Sequence, residues 1–343
     1  MKNIKVLSFI LLLSLSITGC GSKKTATAKV DTTRSTTAES TNNSTDKAEK
    51  YYAPYTGEEV SKETANNAAF MSIIENSSAA RPQSGFNSAD IVFEAMTEGG
   101  TTRCLAIFQK DKAEKIGPVR SMRTYFIDLA YEYNLPFAHC GGSHDALDRI
   151  KKENPMTLNE MYNGSYYWRD KSIKIQEHSL YTSSDKLISL ITQKSYIKPS
   201  PIKLAFNKGY WDTLSSEAIN NIIIRFNGEY ATAYTFKDGL YYKSMNNVPT
   251  ENKEDKKPVA VKNLVIQKVN YRTRPNEEYL DADLVGSGDA IIYSNGKMVK
   301  ATWSKADLHS QTIFKDEKGN IVPLNPGKTW WHLLDQNASL KTN

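Results

Sequence analysis

The segment Gly117-Pro118-Val119-Arg120-Ser121-Met122-Arg123 places two guanidiniums just ahead of a helix-like stretch, with Ser121 as the expected cap. Arg120 and Arg123, three apart, would project from the first turn. Free backbone N–H groups and the helix dipole favour an anion there. Two arginines in that place make sense if an anion, or a set of carboxylates, lies between them. Asp90, Glu94 and Glu98 recur at even spacing on a strand-like run and would share one face. Arg103 opens the next strand beyond the Glu98-Gly99-Gly100 turn. The expected product is a charged cleft, with Arg103, Arg120 and Arg123 facing carboxylates. Such a cleft either binds an anion or neutralises itself as a structural network.

A second candidate is His139-Cys140-Gly141-Gly142-Ser143-His144, which follows an apolar strand and opens a helix. The glycines would let a ligand approach the backbone, and free N–H groups at Gly142 and Ser143 could cradle an oxyanion. His139 is the candidate general base and Ser143 the candidate hydroxyl donor or nucleophile, with a turn holding a satisfied histidine as the alternative; no Gly-x-Ser-x-Gly elbow surrounds Ser143. Asp90, Glu98 and His139 are thus the candidate catalytic groups. The five histidines show no His-Glu-x-x-His spacing and the cysteines no Cys-x-x-Cys, so no metal site is expected. Dinucleotide and Walker glycine patterns are absent, and no cofactor is expected. Cys104 and Cys140 fall in predicted strands, leaving a disulfide or two free thiols open. Trp303, Trp330 and Trp331 read as core residues.

Short strands and helices alternate from residue 69 to about 195. Apolar positions predict strands at Ala69–Ile74, Asp90–Met96, Thr102–Phe108 and Leu135–Cys140, and helices at Arg120–Tyr133, His144–Lys152 and Ser184–Thr192. Beyond about residue 215, alternating runs are separated by Asn227-Gly228, Asp238-Gly239, Asn295-Gly296 and Pro326-Gly327 turns, which predicts antiparallel β structure. The fold class is α+β: an N-terminal α/β domain over residues 51–215, then a mainly antiparallel β domain over 216–343.

Ahead of these, residues 1–20 read as a signal peptide. Lys2 and Lys5 precede an apolar stretch from Val6 to Ile17, too short to span a bilayer, and Ile17-Thr18-Gly19-Cys20 fits a lipobox whose cysteine receives the lipid. Residues 21–50 hold twelve Ser or Thr and no aromatic residue, the composition of a disordered tether. The chain's 343 residues carry a formal charge of +6, but the part beyond residue 50 holds 36 basic and 34 acidic residues. That near balance removes the electrostatic footprint of a nucleic-acid binder. The expected location is extracytoplasmic, on the outer face of the cell membrane.

Together these motifs resemble the YerB-like lipoproteins of Gram-positive bacteria, a family with a two-part domain of unknown function. The matching residues are Ala80-Arg81-Pro82-Gln83-Ser84-Gly85, Ala89-Asp90-Ile91-Val92-Phe93-Glu94, Glu98 to Arg103, Gly117 to Arg123, His139 to Ser143 and Gly327-Lys328-Thr329-Trp330. The order of Asp90, the Pro118 to Arg123 loop and Gly141-Gly142 is also similar to that in LytR-CpsA-Psr envelope phosphotransferases. That analogy implies arginines on a pyrophosphate, with Asp90 holding a metal or orienting an arginine. The aspartate of their arginine loop has no counterpart here. The leading expectation is an anchored protein binding a phosphorylated or carboxylated cell-wall component. The alternatives are an enzyme acting on envelope glycan or its lipid-phosphate precursor, and a structural partner in an envelope assembly.

Overall fold

The computed structural model describes residues 49–198, 204–228, 230–275 and 277–343. The signal peptide, Cys20 and all but the end of the tether lie outside them. In the N-terminal half the elements that position the site are β1 (Phe70–Glu75), β2 (Ile91–Met96), β3 (Thr102–Phe108), α1 (Thr124–Tyr133), β4 (Phe137–His139), α2 (His144–Glu153), β5 (Thr157–Asn159) and α3 (Ser184–Gln193). The C-terminal half supplies β6 (Asn221–Arg225), β7 (Ala231–Lys237), β8 (Leu240–Met245), β9 (Asn263–Val269), β10 (Gly286–Ser294), β11 (Lys297–Lys305), β12 (Ile313–Lys315), β13 (Thr329–Asp335) and β14 (Ser339–Thr342). The α+β class is the one expected.

One ten-stranded sheet runs through both halves in the order β12-β11-β10-β9-β13-β2-β3-β1-β4-β5. The join is β13, which pairs in parallel with β9 on one side and β2 on the other, with Thr329 opposite both Asn263 and Ile91. The central strands are buried along their length, apart from the half-buried Met96 at the end of β2, because both faces of the sheet are covered. On one face Val92, Ala106, Leu264 and Trp330 pack with Ile222, Ile224 and Tyr241 of the second sheet, whose main path is β8-β7-β6-β14, and with Leu187 and Leu190 of α3. On the other, Phe93, Leu105, Val265 and Trp331 pack under Phe126, Leu129 and Tyr133 of α1 and against Trp211 and Phe314. Trp303, Trp330 and Trp331 are all buried.

Helix α1 begins four residues later than its sequence pattern suggests. Residues 118–122 are instead held extended: the Glu75 N–H donates to Pro118 O at 2.9 Å, the Arg120 N–H to Ile73 O at 3.3 Å, and the Met122 N–H to Gly141 O at 3.1 Å. Arg123 is therefore the N-cap residue, without a side-chain cap, and Ser121 does not cap the helix. Gly117 makes the entry possible. It sits at φ 144°, and a Cβ there would lie 2.8 Å from Leu180 O.

Candidate functional site

The arginines meet where β1 ends, β3 begins and the 117–123 segment passes between them. Arg103 is opposite Glu75 in the β1–β3 register. Pairing of residues 118–120 with the end of β1 sets Arg120 beside the same glutamate, with Arg120 Nε 3.6 Å from Glu75 Oε2. Arg120 Nη1 donates to Glu177 O at 3.0 Å, while its Nε has no hydrogen-bond acceptor. Glu75 also holds His178 Nδ1 at 2.8 Å and accepts from Ser77 Oγ at 2.7 Å.

Glu98 serves the other two guanidiniums. Arg123 Nε donates to its Oε2 at 3.0 Å, and Arg123 Nη2 pairs with its Oε1. Arg103 Nη2 stands 3.8 Å from the same Oε1, and its Nη1 donates to Ser121 O at 2.8 Å. Tyr279 covers the Arg123 guanidinium at 5.1 Å. Burial alone would raise Glu98, but Arg123 and then Arg103 outweigh it and hold the carboxyl below its ordinary range. Arg103 is pushed down to about 10, by burial first and then by the like charges of Arg123 and Arg120, against the pull of Glu98. Three arginines thus share two close carboxylates, with a third, Glu177, at the exposed rim.

The strand of carboxylates does not form. Strand β2 stops at Met96, and Glu98 lies in the following turn, whose Gly99 and Gly100 both have positive φ. Glu94 points into the opposite, inter-sheet face. Asp90 precedes the far end of β2, which puts it about 20 Å along the strand from the arginines. There its Oδ2 accepts the Lys110 N–H at 3.0 Å, and Oδ1 is buried without a partner.

Burial pushes the Asp90 carboxyl up to about 7, against the Lys110 N–H and the Lys328 ammonium. The folded chain keeps a proton there that the unfolded chain has lost above about pH 4. Asp90 therefore favours folding below about pH 4, and that contribution fades as pH climbs to the folded value. Asp90→Asn, which cannot ionise, should remove up to about 1.4 kcal/mol per pH unit of the fall in stability between about pH 5 and 7. Urea unfolding of both proteins across that range checks this; parallel stability curves would contradict it.

His139 directly precedes Cys140, whose N–H pairs with Arg120 O, yet the His139 ring is buried. Nδ1 lies 2.6 Å from Gly141 O and Nε2 2.7 Å from Thr157 Oγ1, and burial pulls the ring down to about 4. It is a buried histidine with both ring nitrogens paired within the chain. The glycine turn is likewise occupied by the chain itself: the Cys140 N–H donates to Arg120 O, the Gly141 N–H to Asn159 Oδ1 and the Ser143 N–H to Met122 O. Gly142 and Ser143 thus brace the arginine loop, and the Ser143 N–H is not free for an oxyanion. Cys104 and Cys140 are free thiols, with Cys140 Sγ 3.3 Å from Glu160 Oε2. Among the described residues no group of three or more His, Cys, Asp or Glu is placed to hold a metal ion. Glu75 and His178 were missed by sequence reasoning. Glu75 ends an apolar strand and carries a weak signal, whereas His178, a hundred residues away, carries none.

Comparison with known proteins fits this layout. Residues 55–197 match the model for the N-terminal domain of the family "Protein of unknown function (DUF3048)", and residues 222–331 match its C-terminal domain. The Bacillus subtilis (strain 168) protein named "Putative lipoprotein YerB" is 31% identical over 296 residues, 84% of this chain and 88% of that protein. The crystal structure of the B. subtilis YerB protein superposes with a TM-score of 0.76 at 30% identity, covering 84% of this chain and 99% of that one. Both halves of the family's domain are present in order, and the chain belongs to the YerB-like DUF3048 family.

Proposed function

We propose that this protein is anchored by a lipid at Cys20 to the outer face of the cell membrane, and that it binds an anionic cell-wall component through Arg103, Arg120 and Arg123. The observation that carries the binding reading is the surplus of guanidinium. Burial first, and then the like charges of Arg123 and Arg120, push Arg103 down even with Glu98 beside it, and Arg120 Nε has no hydrogen-bond acceptor. A phosphate or carboxylate group entering beside Arg120 would relieve both, through charge-assisted hydrogen bonds in a partly desolvated site. Arg120 is the reachable member, with 24% of its side chain exposed against 9% for Arg103 and 7% for Arg123.

The anchor reading rests on the lipobox and on the similarity to a protein named as a lipoprotein. Among the described residues no helix is long and apolar enough to cross a membrane. Cys20→Ala is expected to move the protein out of the membrane fraction on cell fractionation; retention there would refute the lipid anchor. The binding reading is tested with vesicles containing a polyprenyl phosphate. Added vesicles should protect the Arg120 region of the detergent-solubilised chain from hydrogen exchange, and Arg120→Ala should lose that protection without a change in melting temperature. Equal protection in the variant would sink the reading.

A further inference from the structure

A second charged group, which the arginine site does not use, lies between the two sheets. Glu94 is fully buried. Its Oε1 accepts from Asn76 Nδ2 at 3.0 Å and Thr102 Oγ1 at 2.9 Å, and its Oε2 accepts from Trp330 Nε1 at 2.8 Å. Lys243, on β8 of the C-terminal half, brings its Nζ to 3.6 Å from Oε2. That is beyond hydrogen-bond distance, and the nitrogen has no other acceptor. Only 1% of this side chain is exposed, and its neighbours are the rings of Trp330, at 4.8 Å, and Tyr234, at 6.0 Å.

An ammonium held this way is costly, because neither water nor a good hydrogen bond replaces its hydration. Burial accordingly pulls Lys243 below the ordinary lysine range, with Glu94 opposing, and so raises its share of free amine. The amide it meets across the carboxylate is unusual in the same way. Asn76 is 1% exposed, and its Oδ1 accepts from Gln83 Nε2 at 2.8 Å, which draws electron density from the carbonyl carbon. An amine short of partners, a polarised carbonyl and one carboxylate in contact with both nitrogens are the parts of an acyl-transfer site.

We infer that Lys243 and Asn76 become joined by an amide bond within the folded chain, with Glu94 as the proton carrier. The Lys243 nitrogen attacks Asn76 Cγ, and the resulting oxyanion is held by Gln83 Nε2. Glu94 takes a proton from Nζ on Oε2, then the carboxyl group returns one to Nδ2. The Cγ–Nδ2 bond breaks and ammonia leaves. Glu94 ends as it began, and no oxidant, reductant or further reactant is needed. The bond ties the end of β1 to β8, so the two halves of the family's domain become covalently linked outside their peptide connection. The mechanical and thermal resistance this gives suits a protein held in the envelope.

Mass spectrometry of the full chain, denatured and digested with trypsin, decides the matter. The expected product is a branched peptide holding residues 76 and 243, lighter by one ammonia than its two linear parts combined, with no cut after Lys243. Linear peptides containing unmodified Asn76 and Lys243 would overturn the inference. So would a branched peptide lighter by one water, which marks a Lys243–Glu94 amide. Lys243→Met and Glu94→Gln should give linear peptides only, and a branched peptide surviving in Glu94→Gln would remove that residue from the reaction.

Discussion

Replacing Glu132 with alanine is expected to cost about 3–5 kcal/mol of folding stability. Glu132 lies on α1 and is 2% exposed, and its Oε2 meets Lys305 Nζ of β11 at 2.6 Å. The same carboxylate accepts the Thr312 N–H at 2.8 Å and Thr312 Oγ1 at 3.1 Å. Truncation would leave Lys305, itself 2% exposed, as a buried charge with no counter-ion. Removing one partner of a buried pair destabilises far more than the pair itself contributes, because the survivor's desolvation is no longer offset. The double variant Glu132→Met with Lys305→Met should recover most of the loss, since apolar residues of similar volume carry no such penalty. Urea unfolding midpoints check both. A single-variant loss below about 1 kcal/mol would mean that water reaches Lys305.

Trp331→Ala is expected to cost a similar about 3–5 kcal/mol through the cavity it opens under α1. The indole of Trp331 is 2% exposed and packs at 5.1 Å from the Phe93 ring and 5.0 Å from the Phe314 ring, so it fixes β13 against β2 and β12. Its Nε1 donates to Gln267 Oε1 at 2.9 Å, and the truncation also strands that buried amide. Trp331→Phe should recover part of the packing but not the hydrogen bond. Unfolding midpoints below those of the wild type in the order Phe then Ala are expected. A Trp331→Ala protein within about 1 kcal/mol of wild type would show that the neighbouring rings collapse into the space.

The strands and helices were legible because their signals are local. Thr102–Phe108 and His144–Glu153 each show apolar periodicity closed by a turn, and the structure places them within a residue of the expected bounds. What was not legible is pairing over long range. The parallel join of β13 with β2 brings together residues 238 apart, Thr329 and Ile91, and no local pattern encodes such a register. The same blindness hid the partners of Glu94 and Glu132. In each a charge sits within an apolar segment, which looks like solvent exposure until the cation arriving from the other half is known. The even spacing of Asp90, Glu94 and Glu98 misled because period 2 holds only while the strand lasts, and this one ends at Met96. At the arginine site the residue types were readable, since guanidiniums beside a helix start are uncommon without an anion. Their true supports, Glu75 and His178, were brought there by the fold.

Whether the arginine cluster retains capacity for an added anion is measured by calorimetric titration of inorganic pyrophosphate into the detergent-solubilised full chain. Saturable one-site binding is expected, weakened at least about tenfold, or about 1.4 kcal/mol, in Arg120→Ala. The melting temperature of that variant should stay within about 2 °C of wild type, as expected for a partly exposed side chain. No saturable binding, or equal affinity in Arg120→Ala, would contradict this and leave Glu75, Glu98 and Glu177 as the anions the cluster serves.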